Sequence, residues 1–275
     1  MKFSESDISD LADILKDVGR REIVSCFLGV KDAKSKQKSA AWDVVTQADI
    51  AAEQGIGQAI RQRYPQARIV GEEAAAADPS SMEGLDKADL AFVIDPIDGT
   101  YNFASGMPVF GSILAIVVGG ECVAGIIHYP IGGETLIGVA GAGSRLVDGQ
   151  GVGVPVKVAD PVPLEQMIGT VSWGFMGEPE RSRVAGGLSK IGMPFGFRCS
   201  AWEYRLVATG RAHFISAHKL MPWDHLAGVL IHAEAGGYSA CIDGQPYGPG
   251  ITEGGLITAV DRDSWEMVRK EIFGA

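Results

Sequence analysis

One segment, residues 90–100, constrains the fold of this chain more than any other. Its five leading residues are apolar and predict a buried strand that delivers Asp95 at its end. The proline that follows lacks the N–H that a sheet ladder needs and holds Asp95 extended, so we expect the strand to stop there. Gly99 permits a tight turn, and Thr100 can begin a short helix. The segment therefore predicts two carboxylates, Asp95 and Asp98, at a switch from strand to helix.

Two carboxylates beside a helix N-terminus suit a divalent cation. The free N–H groups of a helix start favour an anion such as phosphate, yet carboxylates would repel that anion unless cations stand between them. Mg²⁺ prefers oxygen ligands and is commonly held by carboxylates together with a substrate phosphate. The alternative is an ordinary Asp-Pro and Asp-Gly turn without metal. An EF-hand is excluded, because its twelfth position falls on Gly106.

Other acidic residues lie where predicted strands give way to helices. Glu72 follows a short apolar strand, and Asp224 lies at the start of a helical segment. Each has a purely structural alternative, since acidic residues favour the first turn of a helix. Asp49 likewise could do no more than complete a capping box with Thr46.

Taken together, these positions favour a shared site. Glu72, Asp95, Asp98 and Asp224 all lie at strand-to-helix switches, the ends at which α/β sheets gather ligands. Four carboxylates packed closely could not all stay ionised without cations. A phosphoester site with two or three metal ions explains them jointly.

The pattern along the chain predicts a layered fold of the α+β and α/β classes. The first half has two helical segments, 4–28 and 46–64, followed by strands over 67–139 that predict a mainly antiparallel sheet with helices. In the second half, strands alternate with helices, which is typical of an α/β unit. Gly-rich turns and three prolines separate the halves, so we predict subdomains 1–150 and 151–275.

The net negative charge of the chain argues against some classes of binding partner. Its 275 residues include 24 basic and 34 acidic side chains, a net charge of −10. This charge opposes binding to the phosphate backbone of nucleic acids and gives no attraction to an anionic membrane. The chain has no long apolar run and no signal-peptide features at its start, so we expect a cytoplasmic protein. Its four cysteines have no zinc spacing and predict reduced thiols.

With these motifs in place, the sequence resembles the inositol monophosphatase family, within the superfamily that also holds fructose-1,6-bisphosphatase. The resemblance covers about residues 38–237. The matching segments are Asp43-Val44-Val45-Thr46-Gln47-Ala48-Asp49, Gly71-Glu72-Glu73, Asp95-Pro96-Ile97-Asp98-Gly99-Thr100, and Trp223-Asp224 followed by Glu234-Ala235-Gly236-Gly237. The resemblance implies a layered αβαβα sandwich and a Mg²⁺-dependent, lithium-sensitive phosphomonoesterase. Its implied substrate is a small polyol or sugar phosphate, with inositol 1-phosphate as the default, and a homodimer follows by analogy.

The resemblance also implies roles for individual residues. The implied metal ligands are Glu72, Asp95, the Ile97 main-chain carbonyl, Thr100, Asp98 and Asp224. They would hold two Mg²⁺ ions, with a weaker third at Glu72, and Mn²⁺ as a substitute. The implied catalytic residues are Asp49, Glu72 and Thr100, of which Asp49 and Thr100 would orient and help deprotonate the attacking water. The implied substrate-binding residues are Asp98, Gly99, Thr100, Cys199, Ser200, Ala201 and Asp224, with the N–H groups of Gly99 and Thr100 on the phosphate.

The chain departs from the family where the leaving group is bound. Seven residues before Asp224 the family has a glutamate that commonly accepts inositol hydroxyls, whereas this chain has Ala217. His218 and Lys219 could bind a second anionic group or could be solvated loop residues. The missing glutamate keeps other substrates open: a bisphosphorylated nucleotide such as 3′-phosphoadenosine 5′-phosphate, fructose 1,6-bisphosphate or histidinol phosphate. A regulatory or RNA-associated binding protein without turnover is the alternative from another class.

Several other side chains are expected to be structural. His225 is next to Asp224, but a site made of oxygen ligands favours a supporting role for its imidazole. Trp42, Trp173 and Trp202 are expected in the core or at the rim of a cavity.

Overall fold

The structure is a computed structural model that describes residues 2–29, 35–37 and 44–275. Trp42 and Asp43 lie outside the described residues. The α-helices are α1 (Glu5–Val18), α2 (Ser25–Phe27), α3 (Gln47–Arg63), α4 (Glu72–Ala77), α5 (Thr100–Ala104), α6 (Glu180–Gly187), α7 (Ser200–Ala208), α8 (Pro222–Glu234) and α9 (Arg262–Val268). Two π-helical segments, Gly19–Val24 and Arg269–Phe273, join α1 to α2 and extend α9. Within the described ranges, no helix is both long enough and apolar enough to cross a membrane.

The strands form two large sheets and one short pair. They are β1 (Ser35–Gln37), β2 (Val44–Thr46), β3 (Arg68–Gly71), β4 (Leu90–Asp98), β5 (Gly111–Val118), β6 (Glu121–Tyr129), β7 (Glu134–Val139), β8 (Gly143–Val147), β9 (Gly153–Pro155), β10 (Ile168–Val171), β11 (Met193–Pro194), β12 (Phe214–Ala217), β13 (Tyr238–Cys241) and β14 (Leu256–Ala259). The short pair is β1 with β2.

The first sheet has seven strands in the order β3-β4-β5-β6-β7-β8-β9. Strands β3 and β4 run parallel, and every later pair in this sheet is antiparallel. Gly119 and Gly120 join β5 to β6 with φ of +59° and +80°, which is the backbone of a tight hairpin turn. The predicted mainly antiparallel sheet is confirmed. Strand β9 (residues 153–155) still belongs to this sheet. The division at residue 150 stays a prediction.

The second sheet is mixed rather than parallel throughout. Its order is β11-β10-β12-β14-β13. Strand β10 pairs parallel with both neighbours, whereas β14 pairs antiparallel with β12 and β13. Residues 242–255, which connect β13 to β14, contain no helix. A parallel return usually passes through a helix, and this connection has none, in keeping with a pair that reverses direction.

Three apolar cores stack helices and sheets into alternating layers. In the first core, Leu11 of α1 and Ile56 of α3 pack with Phe92 on one face of the first sheet. In the second, Tyr204 of α7 and Leu226 of α8 lie among side chains of both sheets. In the third, α6 and α9 cover the far face of the second sheet. This arrangement is the predicted αβαβα sandwich.

Strand β4 does not stop at Asp95 as the sequence predicts. Asp95 pairs with Ile113 and Asp98 pairs with Gly111. The chain therefore advances three residues along β4 while it advances two along β5. The extra residue forms a bulge around Pro96, which lets the strand continue past a residue that cannot donate an N–H. The Ser112 hydroxyl donates to the Pro96 carbonyl at 2.8 Å. The bulge therefore sets the relative positions of the two aspartates.

Candidate metal and active site

Three aspartates from distant parts of the chain meet at the end of β4. Asp95, Asp98 and Asp224 each offer a carboxylate oxygen, and these oxygens all lie within 4.8 Å of one another. The bulge on β4 supplies Asp95 and Asp98. Asp224 lies in the first turn of α8, which Pro222 begins, a position where the fixed φ of proline suits the helix. We call this group the acidic triad.

Burial and mutual repulsion make the triad hard to ionise. Burial raises the pKa of Asp95 well above its usual range, and the nearby carboxylates Glu72, Asp98 and Asp224 raise it further. The pKa of Asp224 is also raised well above its usual range. Burial is the largest cause, and repulsion from the Asp98 and Glu72 carboxylates follows. Glu72 therefore lies beside the triad, although it is not among the three whose oxygens lie within 4.8 Å.

The triad fits a hard divalent cation. Among the described residues, Asp95 Oδ1 is buried and has no hydrogen-bond partner, which is a costly state for a carboxylate oxygen. A cation would satisfy that oxygen and also screen the repulsion between the three carboxylates. All the donors are oxygen atoms, the set that Mg²⁺ and Ca²⁺ prefer and that does not suit soft metals.

Helix α7 holds Asp98 in place. The Ala201 N–H and the Cys199 thiol donate to Asp98 Oδ2, the thiol at 3.0 Å. Burial raises the pKa of Asp98, while these donors and the Ser200 N–H partly lower it. Ala201, a predicted substrate-binding residue, is fully buried and its N–H is already taken by Asp98. It therefore supports the triad rather than lining the cavity.

Asp49 lies within hydrogen-bond distance of Thr100, two residues after Asp98, and completes a capping box as well. The Thr46 N–H donates to Asp49 Oδ2 at 2.8 Å, as the structural alternative predicts for the start of α3. The Thr100 hydroxyl lies 3.1 Å from Asp49 Oδ1 and 2.9 Å from the Ile97 carbonyl oxygen, so it can donate to either. Burial raises the pKa of Asp49 to about 6, although the Thr46 hydrogen bonds oppose the shift. The Asp49 carboxylate is thus poised to exchange a proton near neutral pH.

Glu53 fixes the start of α4, and the sequence analysis missed it. Its carboxylate accepts the N–H groups of Glu73 at 2.8 Å and Ala74 at 3.0 Å, which places negative charge at the helix N-terminus. A Cβ at Gly71 would lie 2.3 Å from that carboxylate, so the contact needs glycine there. Glu53 therefore orients the segment that carries Glu72. Its spacing, four residues after Asp49 on α3, was the available signal.

Gly99 ties β4 to α5 in a conformation that other residues adopt poorly. Its φ is +87°, and a Cβ would lie 2.9 Å from the Val109 carbonyl oxygen and 3.1 Å from Cys199 Sγ. We expect Gly99→Ala to lower the free energy of unfolding by about 2–4 kcal/mol, from backbone strain and the clash together. Chemical denaturation checks this.

Gly106→Ala is the matched control for Gly99→Ala. Its φ is +75°, but apart from its chain neighbours no atom of the described residues lies within 4 Å of the added Cβ. We therefore expect only the cost of the left-handed backbone, about 1–2 kcal/mol. Equal losses in the two variants would show that close packing at Gly99 contributes nothing.

A cavity of about 180 Å³ opens next to the triad. Four of the predicted substrate-binding residues line it: Asp98, Asp224, Cys199 and Ser200. Glu203 also lines it, one helical turn after Cys199 on α7, and the sequence analysis missed this residue. The spacing of four residues was again the available signal, since such residues share one face of a helix.

The segment after β12 supplies another wall of this cavity. Ala217, His218 and Lys219 all line it, so no carboxylate projects from the Ala217 position. Lys219 Nζ lies 5.5 Å from the centroid of the Phe175 ring, a cation–π arrangement. His218 and Lys219 are therefore placed at the cavity, where either could meet an anionic group.

His225 supports the site without facing a metal. Its Nε2 lies 2.9 Å from the Lys219 carbonyl oxygen, which only accepts, so Nε2 carries the proton. Burial lowers the pKa of His225 to about 4, so the ring is neutral and Nδ1 accepts from the Tyr204 hydroxyl at 3.1 Å. Both nitrogens are occupied, in agreement with the expected structural role.

Trp173 and Trp202 are also in the expected places. Trp202 donates from Nε1 to the Phe110 carbonyl and packs on Tyr129. Trp173 is 36% exposed and lies at the surface near the cavity.

Comparison with known proteins settles the family. A profile of the inositol monophosphatase family matches residues 15–270. The chain belongs to this family. A fructose-1,6-bisphosphatase/inositol-1-monophosphatase of Thermotoga maritima is 31% identical over 212 residues, 74% of this chain and 73% of that protein. A Nus factor SuhB of Pasteurella multocida is 32% identical over 233 residues, 83% of this chain and 82% of that protein.

Solved structures agree on the fold. The extragenic suppressor protein suhB of Bartonella henselae superposes with a TM-score of 0.82 and 24% identity, covering 98% of this chain and 100% of that one. At this identity the likeness supports the inositol monophosphatase fold alone. The resemblance drawn from the four sequence segments is therefore confirmed for family and fold.

The structure brings most of the predicted site residues together. Asp95, Asp98 and Asp224 form the triad, with Glu72 beside it. Asp49 contacts Thr100 through the hydroxyl group. The roles assigned to these residues remain predictions.

Proposed function

We propose that this chain is a metal-dependent phosphomonoesterase that hydrolyses a small alcohol phosphate, with inositol 1-phosphate as the reference substrate. The observation that carries the proposal is the acidic triad: three carboxylates share one site, and a buried Asp95 oxygen there has no hydrogen-bond partner in the described part of the chain. The adjoining cavity, which Asp98 and Asp224 line, gives a small leaving group room beside the triad. Membership of the inositol monophosphatase family supports the same class of reaction.

The residues that would hold metal are those of the triad, with Glu72 and the Ile97 carbonyl completing the oxygen set. We propose two or three Mg²⁺ ions, with Mn²⁺ as a substitute. When bound, such ions lower the pKa of a water molecule and neutralise charge that develops on the leaving oxygen. The cluster of buried carboxylates supports this assignment, because the pKa values of Asp95 and Asp224 stay raised even though the positive charge of Lys219 lowers that of Asp224.

Asp49 and Thr100 are the residues proposed to orient the attacking water and take its proton. The Thr100 hydroxyl can donate to Asp49 or to the Ile97 carbonyl, which leaves an oxygen lone pair to accept a water proton. Thr46 holds the other Asp49 oxygen, so the carboxylate cannot rotate freely. Thr100 thus aligns the water, and Asp49 supports it as a base of suitable pKa.

We expect Asp49→Asn to lower kcat by about 100- to 10,000-fold, the usual contribution of a positioned acid or base. Asparagine keeps an oxygen that can accept from Thr46 but cannot take a proton near neutral pH. Steady-state phosphate release checks this. Asp7→Asn is the matched control, since Asp7 closes an equivalent capping box with Ser4 on α1. A kcat for Asp49→Asn no lower than that of the control would contradict the role of Asp49.

Phosphate release from a substrate panel tests the proposed function. The panel contains inositol 1-phosphate, fructose 1,6-bisphosphate, 3′-phosphoadenosine 5′-phosphate and histidinol phosphate, each assayed with Mg²⁺ and with EDTA. We expect release that depends on the metal from at least one of them. Addition of Li⁺ is expected to inhibit by competing at a Mg²⁺ position.

Relatives named Nus factor SuhB favour a second candidate, a regulatory binding protein with this fold. The net charge of −10 argues against general binding to nucleic acid but not against a protein partner. The same panel separates the candidates. A folded protein that releases phosphate from no substrate would favour the binding function.

Location and assembly are proposed from the family alone. We propose a cytoplasmic homodimer, in keeping with the resemblance set out above. Size-exclusion chromatography with light scattering checks the assembly.

A further inference from the structure

A second cavity continues outward from the leaving-group pocket. Its volume is about 480 Å³, larger than the 180 Å³ of the first. Ser172, Phe175, Arg198 and Glu203 line both cavities, so the two share a wall and a junction. A substrate whose phosphate lies at the triad could therefore extend through the first cavity into the second.

Aromatic side chains dominate the second cavity. Tyr101, Trp173, Phe175 and Phe195 line it, and Trp173 is 36% and Phe175 50% exposed. Exposed aromatic groups gathered in one concave place are typical of a binding site, since solvent exposure of such area is unfavourable. The Arg198 guanidinium lies 4.2 Å from the centroid of the Tyr101 ring, which adds a flat cationic surface to the aromatic ones. This cavity suits a flat, unsaturated ring.

A carboxylate stands at the junction between the two cavities. Glu203 is half-buried there, and the Phe197 N–H donates to its Oε1 at 3.2 Å, which fixes its orientation. Burial raises the pKa of Glu203 to about 7, so the group is ionised only in part at neutral pH. In the ionised form the carboxylate only accepts hydrogen bonds and selects a ligand with an N–H or O–H donor. Ser216, buried in the wall of the first cavity, adds a hydroxyl that has no partner among the described residues. Both residues line the same cavity as Ala217, where a carboxylate is missing.

We propose that the preferred substrate is a phosphate ester of an alcohol that carries an aromatic nitrogen heterocycle, with the ring in the second cavity and its donor on Glu203. This inference rests on the proposed phosphatase function and deepens it. In the reaction the water oxygen bonds to phosphorus, the phosphorus–oxygen bond to the alcohol breaks, and the alcohol oxygen gains a proton. A nucleoside and an imidazole alcohol both satisfy this chemistry.

Substrate preference tests the inference. Adenosine 2′-monophosphate and histidinol phosphate represent the two sources of the heterocycle, and inositol 1-phosphate and glycerol 2-phosphate lack a ring of this kind. We expect kcat/KM for at least one heterocyclic ester to exceed that for inositol 1-phosphate by about tenfold or more, the effect of one stacked ring. Which of the two esters is preferred identifies the source.

Two variants locate the effect in the second cavity. Trp173→Ala removes a stacking surface, and Glu203→Gln keeps an acceptor for Phe197 while losing the charge. In each variant we expect kcat/KM for the preferred ester to fall about tenfold further than kcat/KM for glycerol 2-phosphate. Most of this loss should be a rise in KM. The matched controls are Met267→Ala and Glu165→Gln, which change an exposed side chain of each kind away from both cavities.

The outcomes separate this inference from the function on which it rests. No phosphate from any ester in the presence of Mg²⁺ would refute the phosphatase function itself. Release from inositol 1-phosphate as efficient as that from the heterocyclic esters would overturn the inference alone. A preference for the heterocycle that neither variant weakens would overturn it as well, because the ring would then lie elsewhere.

Discussion

Asp98→Asn is expected to reduce phosphate release by about a thousandfold or more while the protein stays folded. The variant keeps an oxygen that can accept from Ala201 and Cys199, so the contacts that hold the side chain survive. It removes one of the three negative charges of the triad, which a divalent cation needs for tight binding. A thousandfold loss corresponds to about 4 kcal/mol of transition-state stabilisation.

The measurement is kcat/KM at saturating Mg²⁺, with circular dichroism to establish folding. Asp243→Asn is the matched control, because Asp243 also accepts a main-chain N–H, that of Gln245 at 2.9 Å, but lies outside the site. We expect the control to keep the activity of the parent. An Asp98→Asn protein that turns over at the parental rate would remove the metal assignment from this residue.

Short-range signals in the sequence predicted the local structure well. The capping box of Thr46 with Asp49, one of the two interpretations given for Asp49, is present, and Ser4 with Asp7 forms another. Such patterns depend on residues three apart, so no knowledge of the rest of the chain is needed. The hairpin at Gly119-Gly120 was predictable for the same reason.

The convergence of the triad was predictable from a different argument. Nothing local relates Asp95 to Asp224, but both lie at strand-to-helix switches, and sheet topology brings such ends together. The bulge after Asp95 was not predictable, because Pro96 was expected to end the strand. A bulge depends on how the neighbouring strand β5 pairs, and that is a tertiary property.

The leaving-group side of the site was the least predictable part. Glu203 lines both cavities, yet in the sequence it is one glutamate on a helix. Ser216 has a buried hydroxyl only because β12 lies between two other strands. Substrate choice depends on such long-range placement, so the sequence could show that Ala217 lacks a carboxylate but not what replaces it.

Asp95→Asn is expected to stabilise the metal-free protein at pH 8, by about 2–4 °C in Tm for each kcal/mol of repulsion removed. Burial and neighbouring carboxylates raise the pKa of Asp95, so the folded state binds this proton more tightly than the unfolded state does. The favourable contribution is therefore complete at low pH, below the unfolded pKa of about 4, and is lost as the pH rises through the folded value. Between pH 4 and pH 8 the parent protein therefore loses stability from this group, and the asparagine variant, which has no such proton, does not.

Thermal unfolding in EDTA and in Mg²⁺, from pH 5 to pH 8, checks this expectation. In EDTA the advantage of Asp95→Asn over the parent should shrink as the pH falls, while Asp243→Asn should follow the parent throughout. In Mg²⁺ the order should reverse, because a bound cation stabilises the parent by mass action and the variant binds it weakly. A variant that is less stable than the parent in EDTA at pH 8 would mean that the triad carries no stored repulsion. A buried carboxylate that lowers stability does not suit a turn with only a structural role. It does suit a metal site, because the bound ion needs that negative charge.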